Sequence, residues 1–459
     1  MRLRHLLLIL LAMAAGLGHA ESSLDVTTQL ARSGAYQLAW QRVERDQPAR
    51  VDDPQWMEWE ALRLSLLVEL QREPEVLQRI AGLPAVAAPL YLPAARAALQ
   101  QSDPTAARTF TAKFLWSGQS GEFQLKEARR MVIRSYLAER RSDAAYLALL
   151  RYRQDYAPLA DEETTAFGEQ LLLAGGVTET ANWLAQLAEN TPLKLLVRMK
   201  TAQLSPEAAI AAARGAIEPP TPALALPDKS SRKPIKLAPP LPPAKPTGRE
   251  LAGYWAIIGL AGEQLKNSAL QVEALERRLN LAVVSEDGLF GARAATLWKV
   301  YEELGLESAN RAQLLIGEDN LWLELAVNNT TAEPLAARGL FAFLARRGAS
   351  AEIRNAGKVR LAAMLMGKGL DITAVRLFAG EADGEAPLLE QIQAADKARR
   401  SELLIAFGQA AAARGEHAQA AEYFLRASGT RAQRLAADSL MRADLPEDAQ
   451  RLYEGLLKP

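Results

Sequence analysis

Reactive side chains are scarce in this sequence. Its three histidines are His5, His19 and His417, and it has no cysteine. His5 and His19 fall in the first twenty residues, so a Ser-His-Asp relay in the rest of the chain would have to use His417. One imidazole cannot build a multi-histidine zinc or iron centre. Without cysteine there is no thiol nucleophile, no disulfide and no thiolate metal site. The stretch Met366-Gly367-Lys368-Gly369 lacks the spacing of a phosphate-binding loop and has no Ser or Thr after the lysine. A helix end capped by glycine explains it more simply. The expectation is a chain with no catalytic residue, no metal and no cofactor.

Carboxylates and aromatic rings offer two further chemistries. Leu304-Gly305-Leu306-Glu307-Ser308 resembles the acid segment of lytic transglycosylases, in which one carboxylic acid with a raised pKa protonates a glycosidic oxygen. The Gly-Leu-Met-Gln type signature that follows in those enzymes is absent, and Gly305 and Ser308 read as one helix's end and the next one's cap. Turnover of peptidoglycan abolished by Glu307→Gln would establish that activity. Trp56 with Trp59, and Tyr254 with Trp255, would stack on sugars if exposed. At a spacing of three, Trp56 and Trp59 share one helical face and read as core. Asp161-Glu162-Glu163 reads as a helix start, where carboxylates favour the positive end of the dipole.

The elements that would position such groups read as helices of about a dozen residues joined by turns, rich in Ala, Leu, Arg, Glu and Gln. No period-two alternation marks a strand. The expected class is all-α, with more than about 60% helix. The most regular unit runs Leu404, Phe407, Gly408, Ala411, Gly415, Ala420, Phe424 and Ala427. It resembles the tetratricopeptide repeat (TPR), with small residues at Gly408 and Ala420, a turn at Gly415 and an aromatic at Phe424. It departs where Ser428-Gly429 replaces the usual Pro and where Leu404 replaces Trp. Ala437, Leu440, Ala449 and Tyr453 continue in phase. Phe167-Gly168, Leu171, Gly175, Thr180, Leu184, Leu187 and Pro192 form an earlier unit. Looser echoes lie at Gly34, Ala39 and Val43, and at Tyr136, Ala145 and Leu149. The resemblance implies an α-solenoid of stacked helix pairs that associates with proteins without catalysis. Ser102-Asp103-Pro104 and Ser205-Pro206 mark helix starts.

Met1 to His5 is a short basic start, and the apolar run Leu6–Ala15 is too short to cross a bilayer. Gly18-His19-Ala20 then predicts a signal peptide, 1–20, cleaved between Ala20 and Glu21. No later stretch is apolar enough to span a membrane, and no cysteine follows the signal to carry a lipid. The expected protein is exported, periplasmic, soluble and not a lipoprotein. Ten prolines lie between Pro219 and Pro246, among the cations Lys229, Arg232, Lys233, Lys236 and Lys245. This basic, extended segment, 218–248, predicts a linker between an N-terminal helical-repeat domain, 21–217, and a C-terminal one, 249–459.

Lys plus Arg and Asp plus Glu both number 54, so no global field draws the chain to nucleic acid. The expected function is a scaffold or adaptor in an envelope assembly, such as secretion, polysaccharide export or cell-wall machinery, with envelope proteins or peptide segments as partners. The alternatives are a diverged cell-wall glycan hydrolase and a secreted structural adhesin. Transferred from the TPR pattern, the partner-facing positions are Glu162, Thr165, Ala166, Glu169, Leu172 and Leu173 in one unit. In the other they are Glu402, Ile405, Ala406, Gln409, Ala412 and Ala413. Neither set offers a cation, so the expectation is capture of an apolar segment by shape, with basic residues at its edge, rather than of a terminal carboxylate.

Overall fold

The computed structural model describes residues 23–83, 86–118, 121–218, 245–281, 290–312, 318–379, 388–389 and 392–457. Of these, 80% are helical and none is a strand. Ala20, Glu21 and most of the Pro-rich segment lie outside the described residues. The chain divides into two compact units, one of residues 1–158 with 445–459 and one of residues 159–444.

In the first unit, α1 (Ser23–Ser33), α2 (Tyr36–Asp46), α3 (Trp56–Glu69) and α4 (Glu73–Ala81) are followed by α5 (Ala88–Gln100), α6 (Pro104–Trp116), α7 (Glu122–Ala138) and α8 (Ser142–Tyr156). Trp56 and Trp59 are buried in α3, so neither ring faces a sugar. The charged lock of this unit is Glu60, fully buried. Its carboxylate accepts from Gln47 Nε2 at 2.7 Å and from Arg79 Nη2 at 2.9 Å, tying α3 to the end of α2 and to α4.

The second unit begins with α9 (Asp161–Leu173), α10 (Val177–Trp183), α11 (Pro192–Lys200) and α12 (Pro206–Ile217). It resumes after the Pro-rich segment with α13 (Gly248–Gln264), α14 (Ser268–Leu279), α15 (Phe290–Ala312), α16 (Asp319–Asn328), α17 (Pro334–Arg347) and α18 (Ala351–Gly367). The last four are α19 (Asp371–Phe378), α20 (Lys397–Ala413), α21 (His417–Arg426) and α22 (Thr430–Arg442); α23 (Pro446–Leu457) groups with the first unit. The pair α22–α23, expected as a closing repeat, is thus divided between the units, although Ala437, Leu440, Ala449 and Tyr453 are all buried.

Helix starts follow the sequence. Asp103 and Ser205 accept hydrogen bonds from Ala106 N at 2.9 Å and Ala208 N at 3.2 Å ahead of their prolines. The hairpin turns show a regularity that glycine spacing concealed. A residue with positive φ follows the first helix at Gly34, Gln71, Ser102, Arg140, Gly175, Ala202, Lys266, Gly369 and Gly415. At each, the next amide donates back across the turn, as Ala35 N does to Leu30 O at 3.0 Å and Glu416 N to Ala411 O at 3.1 Å. This is the Schellman closure of a helix C-terminus. From Gly34 to Gly175 the turns recur about every 35 residues, close to the TPR period.

The domain boundary expected at 218–248 is not where the units divide. Leu195, Met199, Ala209 and Ala213 from one side of the Pro-rich segment share a buried cluster with Tyr254, Ile257, Ile258 and Ala261 from the other. Gly253 packs so closely that an added Cβ would stand 2.6 Å from Pro192 Cβ. Tyr254 donates to Asn190 O at 2.9 Å, and Arg214 pairs with Glu273 at 2.8 Å. Proline composition reports local chain conformation; a compact unit is set by which apolar faces meet. Limited trypsin digestion is therefore expected to cut after Lys229, Arg232 or Lys236 and leave two fragments that elute together in size-exclusion chromatography, separating only in denaturant. Independent elution of the two halves in native buffer would show that the shared core does not hold them.

Candidate partner groove

The α20–α21 hairpin forms as its residue pattern requires. Leu404, Phe407, Ala411, Ala420 and Phe424 are all buried, and Gly415 takes a φ of 83° at the turn. Gly408 lies against the Phe424 ring, where an added Cβ would stand 2.5 Å from Phe424 Cε1. In the α9–α10 hairpin Gly168 meets Leu184 at the same sequence offset, with a Cβ distance of 2.7 Å to Leu184 Cδ2. Both units therefore close by a large side chain entering the space above a glycine. The missing Pro at the end of α21 has a substitute. Ser401 Oγ accepts from Ser428 N at 3.0 Å and donates to Ser428 O at 3.2 Å, clasping the start of α20 to the end of α21.

Beside this hairpin, α19, α20 and α22 enclose a groove of about 520 Å³. Its bed is Ala406, Gln409, Ala410 and Ala413 along one face of α20, with Phe424 and Leu435 beside it. Gln409, Ala406, Ala412 and Ala413 were expected to face a partner, and all four line the groove; Glu402 and Ile405 do not contribute to its lining. Alanines at this spacing let another backbone approach closely.

The groove nevertheless carries cations, from positions outside the transferred set. Arg376, Arg414 and Arg442 line it, against Asp438. These cations come from α19, from the α20–α21 turn and from the end of α22, positions outside the transferred first-helix set. Arg414 is held by Glu416 at 2.6 Å and by Ala379 O at 2.7 Å. Arg376 donates to Leu279 O at 2.7 Å. Arg442 is exposed and makes no ion pair among the described residues.

The α9 positions are less coherent. Glu162 is exposed, Leu172 is half-buried and Leu173 is 83% exposed. Glu169 is paired with Arg249 at 2.9 Å and Glu402 with Arg399 at 3.0 Å, so both carboxylates have a counter-charge. Both arginines stand off the groove-facing positions, Arg249 on α13 and Arg399 one turn back on α20.

The residues with catalytic precedents are placed plainly. Glu307 is exposed inside α15, about a turn and a half from its end, so Gly305 and Ser308 do not end one helix and begin another. His417 opens α21, half-buried, with its backbone N–H on Gly415 O at 3.0 Å. Tyr254 is core, and Trp255 is half-buried beneath Arg277 at 6.0 Å. Among the described residues no group of three His, Cys, Asp or Glu could hold a metal ion, and no helix is long and apolar enough to cross a membrane.

No family model matches this chain, and no curated protein matches it. Among solved structures it is similar to the TPR domain of P58(IPK), at 16% identity over 96% of this chain and 99% of that one, with a TM-score of 0.24. A superposition that loose assigns no residue of this chain a role. The TPR-like, all-α helical-repeat character rests on the hairpins themselves: paired antiparallel helices, the repeated turn closure and the glycine–large residue seams at Gly168 and Gly408.

Proposed function

We propose that the protein is a non-catalytic scaffold that holds a segment of a partner protein in the groove of α19, α20 and α22, as part of an exported, periplasmic assembly of the cell envelope. The observation that carries the reading is the alanine bed of α20, an open apolar trough of about 520 Å³ beside a tightly closed helix pair. A rigid seam fixes the trough's walls, so little ordering entropy is lost there when a segment docks. The envelope context is supported by the basic and apolar pattern of residues 1–20. The groove's polar lining is Gln409, Asp438, Ser439 and arginine.

A photo-crosslinking residue placed at Gln409 in producing cells tests both halves of this reading. Discrete protein adducts are expected from Gln409 and not from Gln433, which is exposed on α22 and does not line the groove. The adducts should appear in the periplasmic fraction on a chain whose N-terminus is Glu21. Equal labelling from both positions would sink the groove, and retention of the chain in the cytoplasm would sink the location.

A further inference from the structure

Over Lys397–Arg442, the span of α20 to α22, the sequence carries eight Lys and Arg against four Asp and Glu, a net of +4 within a chain whose total is 0. This is a local field on an otherwise balanced protein. It coincides with the trough whose bed is made of alanine and whose rim carries Arg376, Arg414 and Arg442. We infer that the groove selects an acidic amphipathic segment of a partner protein, its apolar side chains lying on Ala410, Ala413 and Leu435 and its carboxylates meeting Arg442 and Arg414.

The inference rests on the groove reading above and adds the chemistry of the occupant. Arg442 is the decisive cation. It is exposed and has no carboxylate among the described residues, whereas Arg414 already shares its charge with Glu416 at 2.6 Å. An unshared guanidinium at the edge of an apolar trough sits where an arriving carboxylate loses water only in part, so attraction exceeds the desolvation cost. Asp438, also in the lining, disfavours a densely charged polyanion along the floor and leaves the rim as the place for negative groups. Nucleic acid fits poorly for the same reason, and because the bed presents alanines rather than exposed rings for bases to stack on.

Small side chains along one face of α20 suit a helical occupant. Ala410 and Ala413 stand at i and i+3, so a second helix can lie along them with its own large residues filling the space that alanine leaves. The expectation drawn from first-helix positions alone, an occupant with basic edges, is reversed by cations that reach the rim from other elements.

The probe is a displayed library of amphipathic helical peptides with fixed Leu on the apolar face and Glu or Lys at random on the polar face, selected on the full-length protein. Enrichment of Glu at the polar positions is expected, with selected peptides binding about ten-fold tighter than their Lys counterparts, one such factor being the size of a single good charge contact. Arg442→Glu should remove or invert that preference, and Arg414→Gln should weaken it. Ala410→Trp, which fills the bed, should abolish binding of every selected peptide. Each variant is first checked for an unchanged thermal transition, and one that fails is replaced by Arg442→Gln or Ala413→Trp. Enrichment of Lys, no enrichment, or a Glu preference indifferent to Arg442 overturns the acidic occupant. Binding lost in Ala410→Trp but without charge preference overturns this inference alone, whereas binding indifferent to Ala410→Trp overturns the groove itself.

Discussion

Gly305→Ala is expected to destabilise the second unit by about 1–3 kcal/mol, the cost of forcing extra volume into a packed core. In α15, Gly305 meets Gly339 of α17 backbone to backbone. A Cβ on Gly305 would stand 2.5 Å from Gly339 O and 2.9 Å from Gly339 C, and one on Gly339 would stand 2.7 Å from Gly305 N. Side chains can rotate out of such a conflict, as the Phe424 ring above Gly408 can in part, but a carbonyl inside a helix cannot. The helices must separate, and the separation is felt at Phe341 and Leu344, both fully buried on α17. Gly357 of α18 repeats the arrangement against Ala345 N at 2.7 Å, so movement of α17 is resisted from its other side. Gly215 supplies the control. It lies within α12 with nothing within 4 Å of its would-be Cβ, so Gly215→Ala should stabilise by about 0.5–1 kcal/mol through helix propensity. Urea unfolding of both variants decides the matter. Equal effects of Gly305→Ala and Gly215→Ala would mean that the α15–α17 contact does not carry this close approach.

Gly305 also shows where the sequence misleads. A glycine followed three residues later by serine is a sound stop-and-cap signal when only local preferences act. Here the helix continues because the glycine is needed by a neighbour some thirty residues on, and tertiary packing overrides propensity. The α20–α21 hairpin was legible for the complementary reason. Its small and large residues face one another within a single pair, so Gly408, Ala420 and Phe424 carry their meaning locally. The left-handed positions at Gln71, Ser102, Arg140, Ala202 and Lys266 were not legible, since such a position without glycine leaves no mark in composition. The start of α13 at Gly248 falls within one residue of the expected 249, but its cap was not read. Thr247 and Glu250 form a capping box, Thr247 N donating to Glu250 Oε2 at 2.7 Å, and the Thr-x-x-Glu signal stands in the sequence behind the prolines that drew the reading. Of the groove's lining, Ala406, Gln409, Ala412 and Ala413 stand among the positions transferred from the TPR pattern, and Ala410 does not. The arginine rim was not legible, because Arg376, Arg414 and Arg442 belong to three separate stretches of chain that only the fold brings together.

Arg338→Ala is expected to cost about 3–5 kcal/mol, the loss seen when one partner of a buried ion pair is removed. Arg338 and Glu276 are 4% and 3% exposed, with Arg338 Nη1 at 3.3 Å from Glu276 Oε1. Tyr301, fully buried, donates its hydroxyl to the same oxygen at 2.5 Å. The three residues lie on α17, α14 and α15, and Thr373 of α19 joins them by donating to Glu276 O at 3.0 Å. Without the guanidinium, a carboxylate remains in a site that water does not reach. Burial already pushes the Glu276 carboxyl above its ordinary 4.5, with Arg338 acting in the opposite direction. Because the folded pKa is raised, the titration of Glu276 favours the fold at pH below about 4.5, and that contribution is lost as pH rises through the folded value. Removing Arg338 takes away the group that opposes the rise, so the penalty of Arg338→Ala should be smaller in mild acid, where Glu276 is protonated, than at neutral pH. Arg338→Met with Glu276→Leu, which removes both charges and keeps the volume, should recover part of the loss, the Tyr301 hydroxyl left without its acceptor holding back the rest. Chemical denaturation of the single and double variants at neutral pH and near pH 4.5 measures this. A penalty for Arg338→Ala that is independent of pH, or a double variant no better than the single, would show that lost packing rather than a stranded carboxylate is the cause.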